Sequence, residues 1–113
     1  MASFVIDYFE LFTSSTAVSR GFFSTAFGWS FTEFGPDYSE FADAGMVGGL
    51  NSEDEGIAVP FVGIRTDDIG AAQRAVEAAG GTITKSVYAY PGGQRFFFRE
   101  PGDAVLMVYQ PSE

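Results

Sequence analysis

The chain has 113 residues, 46% of them hydrophobic and 13 of them Phe, which suits one folded domain with its own core rather than a disordered segment or a pair of domains. There is no cysteine, which excludes a disulfide framework, a thiolate nucleophile and a thiolate metal site. Six Lys and Arg against fifteen Asp and Glu give a net charge of −9, which repels phosphate backbones and anionic membranes and argues against nucleic acid as a partner. No apolar run approaches membrane-spanning length, and residues Met1 to Glu10 lack the basic start and long apolar stretch of a secretory signal, so the expected location is cytoplasmic.

In chain order, "FVIDYFELF", Phe4 to Phe12, is rich in β-branched and aromatic residues and runs into polar "TSS", as a strand reaching a turn does. A helix follows. Ser15 caps it, Gly28 stops it, and Val18, Phe22, Phe23, Ala26 and Phe27 recur at three- and four-residue steps, which predicts a core-facing stripe. Short strands are predicted at Trp29 to Phe34, Tyr38 to Asp43 and Gly45 to Leu50, and "NSEDEG" closes this half as an acidic loop. The second half starts again: "AVPFVGIRTDDIGAAQRAVEAAGGTIT" reads as strand, polar turn, helix, glycine and strand, with Asp67 or Asp68 as cap and Ile69, Ala72, Ala75, Val76 and Ala79 as the buried stripe. Strands at Ile83 to Tyr90, Arg95 to Arg99 and Ala104 to Tyr109 complete it.

A shift of 53 positions aligns the halves without a gap: Phe9 meets Val62, Thr13 meets Thr66, Phe23 meets Val76 and Gly28 meets Gly81. The chain is therefore expected to be α+β, a single domain of residues 1–113 made of two βαβββ modules, 1–52 and 53–113. Side by side, the modules would form a curved, cup-like mixed sheet with helices outside and a groove within.

In this arrangement "FFSTAFGW", "VEAAGGTIT" and "FFFREPGDAVLMVYQ" resemble motifs of the vicinal oxygen chelate superfamily, which includes glyoxalase I, extradiol dioxygenases, and bleomycin and fosfomycin resistance proteins. In the last motif Glu100 stands in place of the usual Asp, and Gly102-Asp103 reverses the usual order. The fold serves several chemistries, so it does not by itself assign one. The resemblance implies that metal-dependent relatives hold a divalent ion by side chains at positions equivalent to Tyr8, Phe61, Met107 and a site around Gly48. None of these is a carboxylate or imidazole, and the chain has no His at all, so no metal and no cofactor is expected. An all-carboxylate site drawn from Asp37, Glu40, Asp43 or the Glu53-Asp54-Glu55 run is the alternative; solvated loop acids are its plainer reading.

Strand alternation divides the remaining side chains into two sets. Tyr8 and Glu10, Phe61 and Arg65, Arg95 and Phe97, and Met107 and Tyr109 fall on the groove side, away from the helices. Aromatic surface with a few polar groups suits an organic ligand, and equally suits a filled cup or a subunit interface. Glu10 or Tyr8 could serve as an acid–base group, whereas a Glu10 paired with Arg65 or Arg95 would be structural. Tyr88, Tyr90 and the following "PGGQ" form either a covering segment or a hairpin, and Trp29 reads as a packing residue. The expected function is metal-independent binding of a small, largely apolar or aromatic molecule. The alternative is a glyoxalase-like lyase, isomerase or dioxygenase using a divergent carboxylate site or a metal-free Glu/Tyr mechanism. A homodimer is expected, because open sheet edges invite a second chain.

Overall fold

The computed structural model of the protein describes residues 4–53 and 59–112. Its elements are β1 (Val5–Phe12), α1 (Thr16–Phe27), β2 (Phe31–Glu33), β3 (Tyr38–Phe41), β4 (Gly48–Asn51), β5 (Phe61–Arg65), α2 (Ile69–Ala78), β6 (Thr82–Tyr90), β7 (Gly93–Arg99) and β8 (Val105–Pro111). This is α+β, with βαβββ written twice. The chain divides into two compact units, Tyr8–Phe61 and Met1–Asp7 with Val62–Glu113, here called the first and second units.

The repeat extends to single hydrogen bonds. The helices begin 53 residues apart, at Thr16 and Ile69, behind N-caps Ser15 and Asp68. Ser15 accepts from the Val18 amide and Asp68 from the Ala71 amide, each satisfying one donor that the first helical turn cannot pair internally. In both copies a threonine two residues earlier, Thr13 or Thr66, accepts from the amide of the cap residue. Gly28 ends α1 at φ 75°, a left-handed conformation open to glycine at little cost.

In the first unit the strands run in the order β2-β3-β4-β1, with β1 and β4 parallel and the other pairs antiparallel. In the second unit the order is β6-β7-β8-β5, again with one parallel pair, β5 and β8. The second unit buries Phe96, Phe98 and Val108 from one sheet face against Ile69 and Ala72 of α2, with Ile64, Val76 and Leu106 at the margin. That is the expected helix-facing set, except that Ala75 and Ala79 are exposed.

The first unit departs from expectation. Val18, Phe22 and Phe27 are 73%, 61% and 58% exposed, so the periodic stripe of α1 is mostly not core. Phe23 alone turns inward, into an aromatic cluster with Trp29, Phe31 and Phe41. Polar contacts hold the helix instead: Arg20 donates to Ser39 Oγ at 2.8 Å and pairs with Glu33 at 3.3 Å, and Thr16 Oγ1 donates to the Pro36 carbonyl at 2.8 Å. A guanidinium reaching under the helix takes the place a continuous apolar seam would need. Tyr88 and Tyr90 belong to strand β6, so the expected covering segment is a hairpin turn between β6 and β7. Among the described residues, no helix is long and apolar enough to cross a membrane.

Candidate functional site

In the first unit, register fixes which side chains share the helix-free face. Glu10 is paired with Gly49 and Gly49 with Glu40, so two carboxylates flank a glycine in one row across the sheet. Tyr38 is paired with Asn51 in the next row. Gly48 pairs with Phe9 and Phe41 on the helix side, so the position that sequence located only around Gly48 is Gly49 on the helix-free side. The missing side chain is what the site requires. A Cβ at Gly49 would stand 1.9 Å from Tyr38 Oη and 2.9 Å from Tyr8 Oη, so the two phenols meet over the glycine.

A hydrogen-bonded chain runs through that meeting point. Tyr38 Oη donates to Glu10 Oε1 at 3.1 Å, the two phenol oxygens are hydrogen-bonded to each other, and Tyr8 Oη donates to Glu40 Oε2 at 3.3 Å. Asn51 Nδ2 donates to the other oxygen of Glu10 at 3.3 Å. Glu10 is 4% exposed and Glu40 half-buried. Burial, chiefly, holds both phenols well above their ordinary range, and for Tyr38 the charge of Glu10 adds to it. Two phenolic hydrogens serve three contacts, so the two phenols share a hydrogen-bonded chain that links a buried carboxylate to a half-buried one.

In the second unit one row reads Arg65, Tyr109, Arg95, Tyr88 across β5, β8, β7 and β6, and the next reads Gly63, Met107, Phe97, Lys85. Sequence alternation therefore brought Arg65, Arg95, Phe97, Met107 and Tyr109 to one face correctly. Phe61, two residues before Gly63 on β5, is on the same side of that strand by alternation and is 7% exposed. Arg95, also 7% exposed, donates from Nε to Tyr88 Oη at 2.6 Å, and its guanidinium carbon lies 5.1–5.5 Å from the ring centres of Tyr88, Tyr90 and Phe97. Lys85 Nζ sits 4.2 Å from the Tyr88 ring centre. Tyr109 donates to Asp7 Oδ1 at 2.5 Å; burial first, and this bond second, raise its phenol.

Sequence reasoning missed Tyr38, Asn51 and Lys85. The alternation of "YSEF" would have paired Tyr38 with Glu40, but β4 is "GGLN" and offers no pattern from which to register its neighbours. Lys85 and Tyr88 share a face despite odd spacing because β6 is irregular between them. An open pocket of about 380 Å³ lies at the start of α1, lined by Ser15, Arg20, Glu33 and Asp37 among others, and includes neither the tyrosine pair with its carboxylates nor the Arg65 and Gly63 rows. Among the described residues, no group of three or more His, Cys, Asp or Glu could hold a metal ion. Asp54 and Glu55 of the acidic run lie outside the described residues.

The family model of the Glyoxalase/Bleomycin resistance protein/Dioxygenase superfamily matches residues 5–108. Among solved structures, the chain is similar to one described as an NAD-dependent benzaldehyde dehydrogenase from Legionella pneumophila, with TM-score 0.80 and 14% identity over 94% of this chain and 99% of that one. It is similar to methylmalonyl-CoA epimerase from Mycobacterium tuberculosis, with TM-score 0.71 and 11% identity over 96% and 88% of the two chains. A superfamily member from Vibrio splendidus 12B01 gives TM-score 0.63 and 21% identity over 97% and 99%. At these identities the likeness is one of fold. No curated protein matches the chain.

Proposed function

The chain belongs to the Glyoxalase/Bleomycin resistance protein/Dioxygenase superfamily, and from that premise we propose that it binds a small, largely apolar or aromatic organic molecule on the helix-free faces of its sheets without a metal ion. The observation that carries this reading is the donor set. The positions where metal-dependent relatives are expected to place ligands hold a phenol, a phenyl ring, a thioether and a glycine, at Tyr8, Phe61, Met107 and Gly49. These do not fit a divalent transition metal, which takes imidazole, thiolate or carboxylate donors. They do fit an apolar ligand, whose sites are mostly hydrophobic with a few orienting polar groups. Glu10 on the face of the first unit, and Arg65, Arg95, Phe97 and Tyr109 on that of the second, are the further proposed contacts, each face taken by itself.

The test is a thermal-shift screen of small aromatics and antibiotics with and without divalent metals, together with elemental analysis of the purified protein. Shifts that do not depend on metal, and less than one-tenth of a transition-metal ion per chain, are the expected results. One tightly held zinc, iron, nickel or manganese per chain would overturn the metal-free reading.

A second reading, acid–base catalysis by Glu10 and Tyr8 without metal, is favoured by the Glu10–Tyr38–Tyr8–Glu40 hydrogen-bonded chain. It predicts turnover of a screening hit that is lost in Glu10→Gln while binding persists. We also expect a homodimer in the cytoplasm. The exposed Phe4, Val5, Ile6, Val18 and Phe22 support self-association, and light scattering at micromolar concentration tests it.

A further inference from the structure

We propose that the ligand is a flat organic anion, an aromatic carboxylate, and that the Arg65–Tyr109–Arg95–Tyr88 face of the second unit is what selects it. The inference rests on the reading that the sheet faces bind a small organic molecule, and it names the charge of that molecule.

The two halves share a fold but have opposite strand charge. Strands β1 to β4 carry Asp7, Glu10, Glu33 and Glu40 and no Lys or Arg, whereas β5 to β8 carry Arg65, Lys85, Arg95 and Arg99 and no Asp or Glu. In a chain of net charge −9, four of the six basic residues therefore fall on one four-stranded sheet. Register puts all four on its helix-free side: Arg65 and Arg95 share a row, Lys85 faces Phe97 in the next, and Arg99 is two residues beyond Phe97 on β7. None is spent on the core beneath α2, which is apolar. Asp7 meets this face at Tyr109.

Scattered surface cations would only keep a protein soluble, but these alternate with rings. Arg65, Tyr109, Arg95 and Tyr88 follow one another across the sheet at strand spacing, roughly 5 Å. A conjugated acid laid at the exposed Arg65 end of this row would place its ring on the phenol of Tyr109 while its carboxylate met the Arg65 guanidinium, with the buried Arg95 adding its field from the next strand but one. The three rings around Arg95 orient its plane and keep water from it, and a charge so desolvated attracts an anion more strongly than one in bulk water. Arg65 and Arg99 are exposed and Lys85 is half-buried, so positive charge is also presented to approaching solute.

The experiment compares matched acid, amide and ammonium forms of phenyl, naphthyl and indolyl compounds, titrated into the 113-residue chain by calorimetry and by chemical-shift perturbation. The acids should bind at least tenfold more tightly than their amides, and the ammonium forms more weakly than either. Raising the salt from 20 to 300 mM should shrink the acid preference and leave the amides unchanged. Arg65→Gln, an exposed position where folding is safe, should reduce acid affinity about three- to tenfold without affecting amides; Arg95→Met should abolish the preference if it folds, and Arg74→Gln on α2 should do nothing. Amides that bind as well as acids would sink the inference while leaving the binding reading intact. Ammonium forms that bind best would reverse it. If no compound of any charge binds at millimolar concentration, the binding reading itself falls and takes the inference with it.

Discussion

Replacing Gly49 by Ala is the sharpest perturbation of the tyrosine pair, because it adds one carbon where two phenols already meet. The new Cβ would lie 1.9 Å from Tyr38 Oη and 2.4 Å from Tyr38 Cζ. To reach an ordinary contact the phenol must retreat by about 1.5 Å, and it cannot do so while keeping both its link to Glu10 at 3.1 Å and its bond to Tyr8. Losing a hydrogen bond to a buried carboxylate costs roughly 1.5–3 kcal/mol, and overpacking adds about 1–3 kcal/mol; the entropic benefit of Ala over Gly in a strand returns about 0.5–1 kcal/mol. The expected net loss is about 2–5 kcal/mol, or about 8–20 °C in Tm for a chain of this size. Urea unfolding followed by circular dichroism measures it, with Gly21→Ala as control. A Cβ at Gly21 meets nothing within 4 Å in the middle of α1, so that change should stabilise by roughly 0.5–1 kcal/mol. In a Tyr38→Ala background most of the Gly49→Ala penalty should vanish, because the two sites are in direct contact and their effects do not add. A loss below about 1 kcal/mol, or an equal loss in both backgrounds, would show that the phenols do not occupy the space over Gly49.

Three further outcomes follow from the same geometry. Ser15→Ala and Asp68→Ala should each cost about 1 kcal/mol in urea melts, because the two caps do the same work in the two copies. Stability should fall as pH rises above 10, since the unfolded chain's tyrosines then lose protons that Tyr8 and Tyr38 retain when folded; Tyr38→Phe should flatten the slope between pH 9 and 11. Glu100 accepts from the amides of Gly102 and Ala104, both at 2.7 Å, which holds its carboxyl below the usual value of 4.5, so part of the stability it gives is lost as pH falls through that region, and Glu100→Gln should lack that component of the acid transition.

What the sequence revealed was whatever depends on period and spacing. The 53-residue shift, the Ser15 cap, the second cap to within Asp67 or Asp68, and the inward set of β7 and β8 were legible because alternation of two and the positions of cap residues and Gly28 are local properties. The face of α1 was misread for a physical reason: a periodic stripe says which side chains point together, not that anything covers them. Val18, Phe22 and Phe27 are left mostly exposed, Phe27 even though it packs on Trp29, and Arg20 anchors the helix by charge instead. The Glu10–Tyr38–Tyr8–Glu40 chain was hidden because its parts come from β1 and β3, brought into register through a strand whose first two residues are glycines. The departure at Glu100 has its reason in the turn itself, where the longer side chain caps the segment in which Asp103 takes φ 77°.

Trp29 packs against Phe23, Phe27 and Phe41, all in the first unit, and it is the only tryptophan in the chain. Its emission therefore watches one half of a doubled molecule while remaining blind to the other, whose aromatic reporters are tyrosines and phenylalanines. Selective indole excitation during unfolding, set beside the far-ultraviolet signal of the whole chain, separates two histories for the repeat. Coincident transitions mean that the halves have fused into one cooperative element. An early indole transition means that the half with the polar-anchored helix still opens on its own, as a foldon inside a protein whose other half stays closed.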